Sequence, residues 1–324
     1  MELARIILPI QSDLQRFEEK FLQSLETNVE LLNAVVRYVA AHKGKRLRPG
    51  LVFLVARLIG NLDENGIEAA QIIELIHTAT LIHDDVVDQS DLRRSVASVH
   101  SVWNNKIAVL VGDFLFAQAL NKMMNLDSSE INKVLAKVTT RMSEGELLQV
   151  QQSQNLQTDE QGYFQMISDK TASLISASCQ IGAIVGSNYD GLDTNQFWDF
   201  GNYLGCAFQI QDDLLDYIGD EDITGKPARN DLKQNKITLP LIYAINKNGK
   251  INSSKIRDFI EKNKAEKDLD PIIELVIDSG GVDYARERAN ELIDKALSIL
   301  APFPDNEFKR SLEDIVQFVA VRSS

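Results

Sequence analysis

Apolar residues recur three and four positions apart along most of this chain, in LLNAVVRYVAAH, AAQIIELIHTATLIHDDVV, IAVLVGDFLFAQALNKMM, VLAKVTTRMSEGELLQVQQ and FWDFGNYLGCAFQIQDDLLDYI. That spacing lays an apolar stripe down a helix, whereas a half-buried strand needs strict alternation, which these segments lack. Only 7 Pro and 17 Gly interrupt 324 residues, so the helices can be long. Cap candidates at Asp127 with Glu130, Thr158 with Gln161, and Asp193 with Gln196 mark helix starts. Neither a Pro/Gly/Ser-rich linker nor a repeat of fixed period divides the chain. The expectation is a single all-α domain over 1–324, a bundle of about ten or more helices.

The net charge of -13 argues against a sequence-independent nucleic-acid binder, which needs a basic face, and disfavours docking on anionic lipid. Cys179 and Cys206 stand 27 positions apart without a CxxC, giving neither a disulfide framework nor half a zinc site, and a cytoplasmic location fits. The N-terminal MELARIILPIQ has too short an apolar run for a secretory leader. The uncharged stretch from Thr171 to Tyr189 approaches membrane-spanning length, but its Ser, Thr, Gln and Asn residues read as a buried, tightly packed helix rather than a transmembrane segment.

Against this background two acidic motifs stand out. Asp84, Asp85 and Asp88 form DDVVD, and Asp212, Asp213 and Asp216 form DDLLD, each within an apolar helical segment. The first and last Asp of each motif lie four apart and share a helix face, a pair of hard oxygen ligands suited to Mg²⁺. One DDxxD is a weak signal, and its bland reading is a solvated acidic face. Two copies embedded in apolar helices are different, because clustered carboxylates removed from water repel unless a cation compensates them. As Mg²⁺ bridges carboxylates to phosphate oxygens, a polyphosphate substrate is implied.

The basic residues agree. His42-Lys43-Gly44-Lys45-Arg46-Leu47-Arg48-Pro49 concentrates cations in an acidic chain, Arg93 and Arg94 follow the first motif, and Lys226 and Lys236 flank a loop after the second. Lys45, Arg48, Arg93 and Arg94 read together as anion-binding, while Arg46 reads equally well as a structural ion pair. His77 lies one heptad before Asp84, on nearly the same face, so a ligand-binding role and a structural one both remain open.

GKRLRP at Gly44 to Pro49, HTATLIHDDVVD through Asp88, the Arg93-Arg94 pair, GDFLFA from Gly112, KTASL from Lys170, FQIQDDLLD from Phe208 and GKP at Gly225 to Pro227 resemble the trans-isoprenyl diphosphate synthases over nearly the whole chain. HDDVVD, MSEGELLQ and ITLPLIYA are most similar to the bacterial medium- and long-chain polyprenyl (octaprenyl-type) branch, which makes quinone side chains. The resemblance implies a homodimer of isoprenoid-synthase-type bundles, each around a central cavity, with an allylic diphosphate and isopentenyl diphosphate as substrates. It implies about three Mg²⁺ on the allylic diphosphate, held by Asp84, Asp85, Asp88, Asp212 and Asp216. Arg93, Lys170, Lys226 and Lys236 would neutralise the leaving diphosphate. Lys45, Arg48, His77 and Arg94 would bind the diphosphate of isopentenyl diphosphate, and Thr171 and Gln209 would stabilise the allylic cation. Ser95-Val96-Ala97, and Ala228 to Asp231 with Asn235-Lys236, depart from the family pattern in loops.

The implied reaction is a Mg²⁺-dependent head-to-tail (1′-4) condensation giving an all-trans polyprenyl diphosphate. Ala79 and Thr80 precede Asp84 by five and four residues, roughly 6 to 8 Å along a helix. In the resembled family a bulky residue there stops growth early, so these small side chains favour a product of about C30 to C45, within reach of isoprene units about 4 to 5 Å long. They could instead serve close helix packing. The alternatives are a shorter-chain farnesyl or geranylgeranyl diphosphate synthase and a noncatalytic subunit of a heteromeric synthase. A terpene cyclase would lack the second diphosphate site that Lys45, Arg48 and Arg94 suggest.

Overall fold

The computed structural model describes residues 3–42, 44–94, 96–155, 159–187, 192–218, 230–247, 262 and 269–321. It is all-α but for one short hairpin, and it divides into two compact units, each assembled from three stretches of chain.

The first unit comprises Met1–Thr139, Leu174–Gly201 and Leu300–Ile315. Its helices begin with α1 (Leu3–Ile6), α2 (Gln11–Gln23), α3 (Glu30–Ala41), α4 (Leu47–Ile59) and α5 (Glu64–Val87). A hairpin of β1 (Leu92–Arg93) and β2 (Val96–Ala97) follows, with Leu92 opposite Ala97. Then come α6 (Val99–Val102), α7 (Asn105–Asn125) and the start of α8 (Ser129–Asn155), and the later stretches add α10 (Ser173–Gly186) and part of α11 (Asn195–Ile218) and α16 (Glu307–Val321). Helix α4 is the central staff: Leu51 to Ala56 are fully buried in sequence, which explains why its apolar residues form a run rather than a stripe. Helix α5 starts where Asp63 accepts from the Gly66 N–H at 2.9 Å.

The uncharged stretch that begins at Thr171 provides α10, as a buried, tightly packed helix. Ser173, Ser176 and Ser178 have no exposure, and Ser178 returns its hydroxyl to the Leu174 carbonyl at 2.8 Å. Gly182 and Gly186, one turn apart, lie against the α4 backbone: a Cβ on either would sit 2.5 Å from the carbonyl oxygen of Val52 or Ala56. Among the described residues the helix apolar and long enough to cross a bilayer is instead α7, with 28% of its most apolar 18-residue window buried.

The second unit comprises Thr140–Ser173, Asn202–Ile299 and Val316–Ser324. It holds the rear of α8, α9 (Glu160–Ile167), a π-helical turn (Ser168–Ala172), most of α11, then α12 (Asn230–Lys233), α13 (Leu239–Lys247), α14 (Asp270–Ser279) and α15 (Gly281–Leu300). Tyr163, Ile210, Leu214, Leu239, Ile272 and Val276 anchor its core. Each large apolar side chain buried this fully contributes about 1.5–3 kcal/mol of transfer free energy. Helix α14 ends on Gly280 in the left-handed region, φ 81°, the conformation that glycine adopts without strain.

Gly182→Ala should therefore lower the thermal unfolding midpoint, since its Cβ meets rigid backbone, at a cost of about 1–3 kcal/mol for overpacking. Gly50→Ala, whose Cβ would meet only the Ile10 methyl at 3.6 Å, should leave the midpoint unchanged or raise it. Scanning calorimetry of the two variants checks the contrast.

Candidate active site

In the first unit the DDVVD motif occupies the last turn of α5, and Asp88 is the C-cap, its N–H bonded to the Asp84 carbonyl at 2.8 Å. The helix dipole is negative at this end, so three carboxylates there are doubly unfavourable without nearby cations. The three are not equivalent. Asp85 is 3% exposed and takes both Nε and Nη2 of Arg93 on one oxygen, at 2.7 and 2.6 Å. Burial pushes its carboxyl pKa up, and Arg93 works against that shift. Asp84 and Asp88 are half-buried and share the other face by their spacing.

The hairpin after α5 supplies the cations. Tyr38 donates to the Ala97 carbonyl at 2.6 Å, tying β2 to α3, and Arg94 takes a left-handed conformation, φ 53°. The guanidinium of Arg94 lies over Gly44, where a Cβ would come within 2.4 Å of it, so the GKRLRP glycine makes room for the arginine. Arg48, at the start of α4, places Nη1 3.0 Å from His77 Nε2. Burial, then Arg48, Arg94, Arg93 and Arg46, hold the His77 imidazole well below its usual pKa. His77 is thus neutral and accepts from Arg48. Arg48 is lowered to about 10, chiefly by burial, remains charged, and keeps a buried Nε without a partner. Lys45 is exposed on the same loop. Arg46 is a structural cation, bonded to Glu18 at 2.7 Å and Glu74 at 2.5 Å. Gly44, His77, Asp85, Arg93 and Arg94 line one cavity of about 90 Å³ with apolar walls from Leu81 and Ile82. Ala79 is fully buried; Thr80 is half-buried and donates to the His77 carbonyl at 2.9 Å.

In the second unit a cavity of about 100 Å³ is lined by Lys170, Thr171, Gln209, Asp213, Asp231 and Lys236, bringing together five residues singled out from the sequence. Lys170 and Thr171 stand on the π-helical turn, a widened turn frequent at functional sites. Gly145 of α8 makes room for it, since a Cβ there would lie 2.5 Å from the Lys170 nitrogen. Arg141 and Gln165 grip Asp169 within the same turn. Lys170 reaches Gln149 at 2.6 Å and Glu146 at 2.5 Å. On α11, Asp213 is 4% exposed and accepts from Tyr163 Oη at 2.6 Å and Gln209 Nε2 at 2.8 Å. Burial, with Asp231 nearby, raises its pKa strongly. Asp212 and Asp216 are half-buried; Asp216 accepts from the Asp231 N–H at 3.1 Å. Lys236 lies 3.9 Å from Asp231. Lys226 and the GKP motif fall outside the described residues, as do Ser95 and Ala228.

Tyr163, Glu146, Gln149 and Asp231 were not singled out from the sequence. Tyr163 precedes Lys170 by seven residues, two helical turns, and that register was the available signal. Among the described residues no three carboxylates, imidazoles or thiolates converge into a ready metal cage. Mg²⁺ does not need one, because it keeps waters and combines one or two carboxylates with phosphate oxygens. Asp84 with Asp88, and Asp212 with Asp216, are hard-oxygen pairs at one-turn spacing, a donor set that fits Mg²⁺ arriving with a phosphorylated substrate.

A family model described as Polyprenyl synthetase matches residues 29–276. Octaprenyl diphosphate synthase of Escherichia coli (strain K12) is 35% identical over 323 residues, 99% of each chain. Solanesyl diphosphate synthase 2, chloroplastic, of Arabidopsis thaliana is 37% identical over 316 residues, 95% of this chain and 74% of that one. The crystal structure of a polyprenyl synthase from Caulobacter crescentus CB15, complexed with calcium and isoprenyl diphosphate, superposes with a TM-score of 0.89 at 35% identity, covering 100% of this chain and 98% of that one.

The neutral His77 makes a test of the first cluster in acid. Its folded pKa lies below the unfolded value of about 6.5, so the unfolded state binds the extra proton and stability falls as pH drops through that range, by at most about 1.4 kcal/mol per pH unit. His77→Gln should show a smaller loss of urea midpoint between pH 7 and pH 5 than the parent; an equal loss would mean that folding leaves the His77 pKa unshifted, and a larger one that the fold raises it.

Proposed function

The chain belongs to the polyprenyl synthetase family, and from that premise we propose that it joins isopentenyl diphosphate to an allylic diphosphate, head to tail (1′-4), making an all-trans polyprenyl diphosphate of about C30 to C45 and releasing diphosphate. The observation that carries this reading is the Arg48, His77 and Arg94 cluster in a chain of charge -13. A charged arginine with a buried, unpartnered Nε suits a second anionic substrate, which a cyclase does not use. Residues 1–324 then act as one catalytic domain, as the continuous family match across 29–276 supports.

Breaking an allylic C–O bond leaves positive charge on carbon and negative charge on diphosphate, so the groups that matter are those whose interactions strengthen as charge separates. Mg²⁺ held by Asp84, Asp85, Asp88, Asp212 and Asp216 would neutralise the leaving diphosphate. Asp85 and Arg93 serve there only by loosening their mutual pair. Lys170, Lys236 and Lys226 add fixed positive charge, and Thr171 and Gln209 turn oxygens toward the allylic carbon. Lys45, Arg48, His77 and Arg94 hold the acceptor diphosphate. After addition, the departed diphosphate takes the proton lost from the acceptor. Apolar walls keep water from the cation.

A homodimer in the cytoplasm completes the proposal. Helix α7 leaves Leu110, Leu120 and Met124 exposed at 54%, 61% and 85%, an apolar face suited to a second copy, and both cysteines are free and buried. Product passed to quinone side-chain synthesis would match this length.

Purified protein given Mg²⁺, farnesyl diphosphate and isopentenyl diphosphate should release all-trans products of about six to nine isoprene units, sized by chromatography. Chelation should abolish turnover, and Asp84→Ala or Asp212→Ala should lower kcat by at least about 10²-fold; full turnover in either variant would remove the metal assignment. Thr80 is partly open and one turn before Asp84, so Thr80→Tyr should shorten the product to about three or four units with Mg²⁺ dependence intact. Unchanged product length would place the stop elsewhere.

A further inference from the structure

Asp213 stands in the middle of the second motif, and Tyr163 belongs to none of the motifs. Both are buried, and their contacts run in series with the cavity. Tyr163 Oη donates to Asp213 Oδ2 at 2.6 Å. The other carboxylate oxygen, Oδ1, accepts from Gln209 Nε2 at 2.8 Å. Gln209 Oε1 in turn accepts from Thr171 Oγ1 at 2.8 Å.

Each bond in this series limits the next. A side-chain amide carries its donors at one end and its acceptor at the other. With the amino end of Gln209 drawn to Asp213, the carbonyl end is turned to Thr171. A hydroxyl has one proton, and Thr171 spends it on that carbonyl, so only lone pairs remain on its oxygen for anything else in the cavity. The opposite amide orientation would aim an N–H at Thr171 and release the threonine proton toward the cavity. An electron-deficient carbon is stabilised by lone pairs and destabilised by a proton pointed at it, so the two orientations differ in sign.

We propose that Tyr163 and Asp213 are positioning residues that fix the polarity of the Gln209–Thr171 pair, so that oxygen lone pairs face the developing allylic cation. This rests on the prenyltransferase reading above and deepens it. Tyr163 holds one Asp213 oxygen, which leaves the other for Gln209 and makes a single amide orientation the satisfied one. The ring of Tyr163 packs edge-on to Phe164 at 5.7 Å, so Tyr163→Phe removes the hydroxyl while keeping the packing.

Calorimetric binding of two unreactive allylic diphosphate analogues with Mg²⁺ separates positioning from plain support of the fold. One is an aza analogue whose ammonium nitrogen replaces the cationic carbon; the other is the uncharged-tail thiolodiphosphate. The parent protein should prefer the aza analogue. Tyr163→Phe should cut that preference about tenfold, the scale of one misdirected buried hydrogen bond, with the thiolodiphosphate affinity unchanged. Asp213→Asn, which keeps the shape but mixes donor and acceptor, should do the same and answers the question should Tyr163→Phe fail to fold. In a Thr171→Val background, which has already lost the preference, Tyr163→Phe should remove nothing further. Parent-like preference in both Tyr163→Phe and Asp213→Asn, or equal weakening of both analogues, would overturn the proposal. A parent protein that shows no aza preference and no chain elongation would instead overturn the functional reading, and this proposal with it.

Discussion

Carboxylates set against apolar helices are the constraint on which the rest of this structure turns. At the end of α5 the dipole is already negative and the flanking residues are apolar, so charge there must be matched by cations or by hydrogen bonds. The two motifs handle their middle aspartate alike: Asp85 is buried against Arg93, and Asp213 is buried against Tyr163 and Gln209. Fixing the middle residue orients the helix face on which the outer pair, Asp84 with Asp88 or Asp212 with Asp216, stands. The division between an anchoring residue and a presenting pair is fixed in the second motif, whereas in the first Asp85 anchors only until its pair with Arg93 loosens.

The cationic side has a similar economy. Arg46 and Arg48 are two residues apart at the start of α4, yet Arg46 is consumed by Glu18 and Glu74 while Arg48 is hydrogen-bonded to a neutral imidazole and keeps a buried N–H unpartnered among the described residues. A salt bridge satisfies its arginine and so removes it from ligand chemistry; an imidazole held neutral by burial and then by surrounding guanidinium groups orients one without quenching its charge.

Much of this was legible in the sequence because it depends on spacing along one helix. The helical class, the one-turn aspartate pairs and the buried uncharged stretch follow from local periodicity, while the grouping of Lys170, Thr171 and Gln209 came only from the family resemblance, since Gln209 lies 38 residues from Thr171. The helix starts were harder. The cap of α8 is Ser128, which accepts from the Ile131 N–H, rather than Asp127, and α9 is capped by Asp159 while Thr158 lies outside the described residues. Caps are decided by backbone direction at one residue, which composition does not reveal. The hairpin was invisible because two residues per strand carry no alternation. The burial of Asp85 and the Tyr163 contact were hidden for another reason: they join elements distant in sequence, and a charged residue in an amphipathic segment reads as solvated until its neighbour is known. The interleaved composition of the two units belongs to the same class, since contiguous sequence contains no trace of which stretches return to which core.

The π-helical turn at Ser168–Ala172 has an evolutionary corollary. A π turn holds one residue more than the α-helical path it replaces, so the segment carries a unit of slack in its winding. Losing a single residue there would give an uninterrupted α-helix, easier to build than the present chain, with the helices on either side still in phase but the residues of the wide turn moved off the face they now occupy. Lys170 and Thr171 would leave their partners without any change in their own identity. This stretch therefore should tolerate no change in length, so that in any lineage retaining this chemistry its residue count is as faithful a signature as the Lys170-Thr171 pair itself.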